Sequence, residues 1–424
     1  MDEDRFDRLV SLRRDLHRHP EPAWREFYTT ARILEELERI GVEDVVTGPA
    51  LFGGTRRGVP DATDLATWRE RARDAGADPA LLETVGEGYT GALATIERGE
   101  GPTVALRVDI DALPREEAAD PDHVPAAEGF RAETPAMHAC GHDAHVTFGV
   151  GVLETLTERG FEGTLKVLFQ PAEEVVGGAD PIARSGLLDD VDAFYAVHVG
   201  LDHPTGEVVA AIDDILAVSQ FHATFTGESA HAGGHPAQGR NANQALAAAV
   251  QNLYAIPRHE DGATRINAGR IEGGTASNIV AEAATIEGEV RGETTALMEY
   301  MRDRADRVLS GAAEMHDCEV DVERTGGAPS AENDPDLVET AYAAAEGVEG
   351  VTSRLRRAGL GGSEDATYLM RRVQEHGGEA AYVCVGTDHP GGHHTATFDV
   401  DERSLAIGVD WLAETLSAAL AGKP

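Results

Sequence analysis

Lysine is almost missing from this chain. Lys166 and Lys423 are the only two in 424 residues, so arginine carries nearly all the positive charge. Lys and Arg together number 36 against 75 Asp and Glu, a formal net charge of −39. A nucleic-acid binder needs a basic face to neutralise phosphates, so no nucleic-acid partner is expected. An anionic membrane surface would repel the chain as well. Aromatic residues make up only 5%. Acid surplus with so few lysines reads as a halophilic protein. At about 1 M salt the Debye length is about 3 Å, which screens a repulsion that dilute buffer would leave in place. There are three cysteines, Cys140, Cys318 and Cys384. That is too few for a disulfide framework, and the odd count fits a reducing compartment. Cys318 and Cys384 read as buried thiols in strands. No run approaches the ~18 apolar residues of a membrane helix. The opening MDEDRFDRLV is acidic with no apolar stretch, which does not read as a signal peptide. A cytoplasmic location is the expectation.

Apolar residues, at 42%, suffice for a core, and the length suggests more than one domain. Apolar residues at helical spacing predict helices over residues 4–18 and through Trp24–Leu37, with Gly41 as a stop. A charged stretch with Leu65, Trp68 and Ala72 at the same spacing predicts a helical insertion at about 55–88. Strands Thr103–Val108, Thr164–Phe169 and Ala193–Val199 then alternate with a helix over His145–Thr157. Such alternation predicts an α/β fold with a doubly wound, mixed sheet. From Ala217 the pattern changes to β-α-β-β-α-β, the ferredoxin-like α+β unit. The expected organisation is a large domain of residues 1–215 and 327–424, interrupted by a small domain of residues 216–326.

The residues with most chemistry sit just past the predicted strand ends. Met137–His145 packs His138, Cys140, His142, Asp143 and His145 into one short segment. Cys140 and His142, two apart at a turn into a helix, can face one centre, and a transition metal needs such convergent donors. Glu173 and Glu174 follow the strand Thr164–Phe169. Side by side at a turn they point in different directions, so one can ligate while the other shuttles a proton. His198 closes the strand Ala193–Val199. His393 and His394 follow two glycines, with Phe398 beyond. No G-x-x-x-x-G-K-[ST] phosphate loop occurs.

Three of these segments, His138–Asp143, Gln170–Glu174 and His394–Phe398, stand together with Leu16–Glu21 and Arg107–Pro114. As a set they resemble the two-metal amidohydrolase and aminoacylase peptidases, in the branch of indole-acetyl-amino-acid and hippurate hydrolases. The likeness runs along essentially the whole chain. The insertion at Gly58–Arg73 and the segment Ala358–Thr367 bring it nearest to the p-aminobenzoyl-glutamate hydrolases of that branch. The resemblance implies a metallo-amidohydrolase that cleaves a linear amide in an N-acyl or N-aroyl amino acid, with an N-aroyl glutamate as first substrate. It implies two divalent metal ions per chain, with manganese or zinc favoured. Cys140, His142, Glu174, His198 and His394 become the ligands, and His393 competes with His394 for the last place. Asp111 becomes a group that orients a ligand, and Glu173 the general base. The small domain becomes a dimerisation and lid domain. His231 becomes a helper at the oxyanion in the active site of the dimer partner, Asn278 and Arg291 holders of the substrate carboxylate, and Gly362 part of the site lining. The partner is a second copy or a related subunit. The alternative is a non-catalytic or partner-dependent subunit.

Overall fold

Four runs, Thr103–Asp109, Gly163–Gln170, Ala193–Val199 and Glu379–Val385, are buried along nearly their whole length. A strand that is apolar on both faces must be covered on both, which suits a parallel sheet under helices. In the computed structural model, which describes residues 1–422, these four lie side by side and parallel. Their order is Gly163–Gln170, Thr103–Asp109, Ala193–Val199, Glu379–Val385. Antiparallel Ala92–Arg98 and Asp44–Thr47 extend one edge. Glu207–Val209 and Ser353–Leu355 extend the other, making an eight-stranded mixed sheet.

The helix His142–Arg159 lies against this sheet and is buried on almost every side. Helices Glu3–Arg18, Phe27–Ile40 and Arg403–Leu420 pack around it. Close approach is possible because Gly149 has no side chain. A Cβ there would come within 2.7 Å of the Phe169 ring. Local signals set the helix ends. Asp2 caps the first helix by accepting from the Arg5 N–H at 2.9 Å. Gly41 ends the second at φ +85°. The inserted helices Ala62–Asp74 and Pro79–Thr84 begin at the caps Asp61 and Asp78. They pack through Leu65, Trp68 and Leu82 on Phe27 and Tyr28.

Two compact units result. The larger holds Met1–Asp213, Ala331–Leu360 and the chain from Asp365 onward; the smaller holds Asp214–Ser330 and Gly361–Glu364. In the smaller unit, four antiparallel strands run in the order Thr264–Gly273, Ala283–Gly292, Ala217–Thr226, Glu319–Ala328. Helices Ala242–Tyr254 and Thr295–Met315 close a core around Phe221, Phe225, Ile286 and Met301. Gly361–Glu364 falls in this unit rather than in the large one, where the sequence pattern leaves it. The reason is local: Leu216 N–H donates to the Gly362 carbonyl at 2.7 Å, and Gly361 N–H to the Asp214 carbonyl at 3.2 Å. Cys384 is a buried strand thiol, but Cys318 is half-buried and lies just before its strand. None of the helices among the described residues is long and apolar enough to cross a membrane.

Candidate metal centre

The chemistry-bearing segments of the large unit meet past the ends of its parallel strands. Cys140, Gly141 and His142 form the turn into the helix His142–Arg159. Gly141 sits at φ +83°, and a Cβ on it would lie 2.4 Å from Val199. Only glycine fits there, and this turn carries both Cys140 and His142, which join different donor sets linked through Glu174. The Cys140 sulfur is 3.4 Å from His198 Nε2 and 3.6 Å from His393 Nδ1. Candidate donor atoms of Cys140, Glu174 and His394 lie within 4.8 Å of one another, as do those of Cys140, His198 and His393. A third set, His142, Glu173 and Glu174, shares Glu174 with the first. Cys140 thus stands between two groups of donors. His394 is tied to this loop by its backbone N–H, which donates to the Ala139 carbonyl at 2.8 Å.

Hydrogen bonds sort the histidines. His142 donates from Nδ1 to the Asp111 carbonyl at 2.8 Å, and its Nε2 is buried with no hydrogen-bond partner. His198 donates from Nδ1 to the Val199 carbonyl at 2.7 Å and turns Nε2 to the sulfur. Metal-bound histidines use their second nitrogen in this way, and a thiol, imidazoles and a carboxylate are the donors a transition metal takes. The residues therefore fit a metal site. His145 differs. Its Nδ1 faces Asp109 and its Nε2 accepts from the Val199 N–H at 2.8 Å, so both nitrogens are committed. His138 is buried beside Asp143 and His17, and burial holds it down to about 3, hence neutral.

The turn that carries Glu173 and Glu174 is held by two buried carboxylates. Asp111 accepts from the N–H of Glu173 and of Glu174, each at 3.0 Å. Glu26 accepts from Ala172 N–H at 2.8 Å and from the Thr90 hydroxyl at 2.6 Å. Ala172 and Val176 are at φ +57° and +51°. For β-branched Val176 that is a strained backbone, of the kind kept where the surroundings over-determine it. The field at this turn is strongly negative. Burial works against a charge on His142, but Asp109, Asp111 and Glu174 outweigh it and raise the ring to about 10. A cation would satisfy the same field. Burial, with Asp111 next, also pushes Glu26 up to about 8.

Beneath the donors lies a layer of buried charge. Arg107 binds Asp109 at 2.7 Å, Asp365 at 3.2 Å and Gln170 at 2.8 Å, and is fully buried. Arg13 and His17 both reach Asp143 at 2.8 Å, and His17 Nε2 reaches Glu117 at 2.9 Å. Sequence reasoning did not single out Arg107, Asp109 or Glu26 as site residues, and it placed Asp365 only within the segment Gly361–Asp365 that lines the site. A signal was present: Arg107 and Asp109 are charges inside a run otherwise apolar on both faces, and a buried charge must be paired.

In the smaller unit, His231 is exposed on the short strand Ala230–His231, which pairs with Ile279–Val280. Its Nδ1 accepts from the N–H of Gly233 at 3.1 Å and Gly234 at 2.9 Å, so Nε2 carries the proton and is a donor. Asn278 is exposed next to it, its carbonyl taking the Ala232 N–H at 2.9 Å. Arg291 is half-buried and already paired with Glu289, Nε to Oε1 at 2.8 Å and Nη2 to Oε2 at 3.2 Å.

Known proteins resemble the chain over nearly its full length. It is 42% identical to an indole-3-acetyl-aspartic acid hydrolase of Enterobacter agglomerans, over 96% of this chain and 94% of that one. It is 40% identical to one of the subunits of p-aminobenzoyl-glutamate hydrolase from Escherichia coli (strain K12), over 96% and 95%. Among solved structures, the aminobenzoyl-glutamate utilization protein from Klebsiella pneumoniae matches with a TM-score of 0.83 at 35% identity, over 96% and 95%. The chain is a metal-dependent hydrolase of amide bonds and belongs to peptidase family M20/M25/M40, which matches residues 105–418.

Proposed function

We propose that this enzyme hydrolyses the amide bond between an aromatic acyl group and an acidic amino acid, at a centre held by Cys140, His142, Glu174, His198 and His394. The observation that carries the reading is Cys140 standing between two donor groups, with Glu173 beside them on a turn braced by Asp111. Two bound divalent ions, manganese or zinc by preference, would lower the pKa of water and polarise the scissile carbonyl. Glu173 takes the proton of the attacking water and returns it to the leaving amine nitrogen. Asp111 sets the direction of Glu173 and Glu174 through their backbone N–H groups. His231, protonated at Nε2, is assigned the oxyanion hydrogen bond in the active site of a second copy, Asn278 and Arg291 the substrate carboxylate, and Gly362 a place in the site lining. Arg291 must then exchange Glu289 for substrate, a swap of one bidentate carboxylate for another.

The preference for an acidic amino acid draws on the relatives, named for an aspartic acid and a glutamate conjugate. The small unit has the strand order of a ferredoxin-like domain, and we assign it dimerisation and lid roles. One relative is itself named as one subunit of its hydrolase. That supports, for the second reading, pairing of this chain with a related subunit. Excess acid with two lysines supports a cytoplasm of high salt. The test is elemental analysis of the purified chain in molar salt, followed by turnover of p-aminobenzoyl-glutamate, indole-acetyl-aspartate and hippurate. Two ions per chain and preference for the acidic conjugates are expected. Glu173→Ala should keep both ions and lose turnover. Metal binding without turnover by the chain alone, restored by a partner, would favour the second reading. Undiminished turnover in Glu173→Ala would remove Glu173 as the base.

A further inference from the structure

We propose that His393 is a positioning residue and not a metal ligand: its Nδ1–H donates a hydrogen bond to the Cys140 sulfur, leaving the last ligand place to His394. The inference rests on the two-metal reading above and resolves which of the adjacent histidines binds.

The argument is one of proton positions. His393 Nε2 accepts from the Leu201 backbone N–H at 3.0 Å. A ring that accepts at Nε2 carries its one proton at Nδ1. That nitrogen faces the Cys140 sulfur at 3.6 Å, within reach of an N–H···S hydrogen bond. To ligate through Nδ1, the ring would have to move its proton to Nε2, and two N–H groups would then point at each other at the Leu201 amide. His142 and His198 show the opposite arrangement. Each donates from its second nitrogen to a backbone carbonyl, as ligating histidines do. Packing holds the His393 ring in place. Phe398 lies 4.7 Å from it and His389 and His198 each 5.2 Å, centroid to centroid. Gly200, at φ +83°, leaves room for the ring, since a Cβ there would come within 2.7 Å of Nε2. His394 points elsewhere: its Nε2 is 3.6 Å from Glu174 Oε2, in the donor set that it shares with Cys140.

An N–H donated to a thiolate lowers the energy of the sulfur lone pairs. The bond should therefore be legible in the thiolate-to-cobalt charge-transfer band of the chain loaded with Co²⁺. In His393→Asn the amide nitrogen stands where Nδ1 stood, whereas His393→Leu has no donor. The expected result is two cobalt ions per chain in wild type, His393→Asn and His393→Leu. The band should stay in place in His393→Asn and move to longer wavelength in His393→Leu, with cobalt affinity about tenfold or more weaker. His394→Asn should lose one ion. A His393→Leu chain with one ion, an unmoved band in that chain, or a His394→Asn chain that keeps both would overturn the assignment. A wild-type chain with no cobalt would instead refute the two-metal reading, and this inference with it. Loss of function by misfolding alone would move His393→Asn and His393→Leu together, and that outcome also counts against the hydrogen bond.

Discussion

Asp111→Asn isolates the group that aims the glutamate pair. Asp111 is fully buried, and its two oxygens take the N–H of Glu173 and Glu174 at 3.0 Å each. Asparagine is nearly isosteric, but its amide offers one acceptor and one donor. One of the two backbone N–H groups would then face an NH₂ and lose its partner. Leaving a buried donor unsatisfied costs about 1–3 kcal/mol, and the surviving bond drops from charge-assisted to neutral. A loss of roughly 2–4 kcal/mol of stability is expected on that reasoning. The turn already holds Ala172 and Val176 at positive φ, so the released segment should relax and withdraw Glu174 from the donor set. Metal affinity should fall by about 10–100-fold. Denaturant unfolding of the metal-free chain measures the first effect, and metal titration the second. A variant that unfolds and binds metal as wild type does would refute the role given to Asp111.

Arg107→Met leaves Asp109 and Asp365 buried without their common cation. A cost of about 3–5 kcal/mol is expected from the uncompensated charges, read as a lowered unfolding midpoint. A change under about 1 kcal/mol, roughly a factor of five in the folding equilibrium, would show that the network is dispensable. His17 yields a pH dependence. Burial and Arg13 work against its charge, but Asp143 and Glu117 outweigh them and raise it to about 9, from an ordinary 6.5. Because the folded value is the higher one, the stabilisation is complete below the ordinary value and is lost as pH climbs through about 9. Its size is roughly 3 kcal/mol. Unfolding measured on either side of that window should show the loss in wild type and not in His17→Gln. Salt should stabilise the whole chain. Going from about 0.1 M to about 1 M shortens the Debye length from about 10 Å to about 3 Å, and a net charge of −39 makes a rise in melting temperature the expected result. A flat melting curve against salt would end the halophilic reading.

The long strands were legible because both faces are apolar. Thr103–Asp109 and Ala193–Val199 stand within a residue of where periodicity put them. The short edge strands Asp44–Thr47, Glu207–Val209 and Ser353–Leu355 carry too few residues for any period to show. The helix Arg403–Leu420 did carry a signal, with Leu405, Val409, Leu412 and Leu416 buried at helical spacing, and was overlooked.

By itself the sequence determined the chemistry available: one thiol, two adjacent carboxylates and several histidines at strand ends, in a chain too acidic for nucleic acid. Those are properties of residue type and local spacing. Tertiary structure decided which of these groups converge and what each nitrogen does. His142, His145 and His393 are the same residue in the sequence and each turns an Nδ1–H to a partner, but Nε2 is left without a hydrogen-bond partner in His142 and is taken by the Val199 amide in His145 and by the Leu201 amide in His393. A histidine becomes a donor to metal or a donor of hydrogen bonds through the partner of its other nitrogen, and that partner comes from a distant part of the chain.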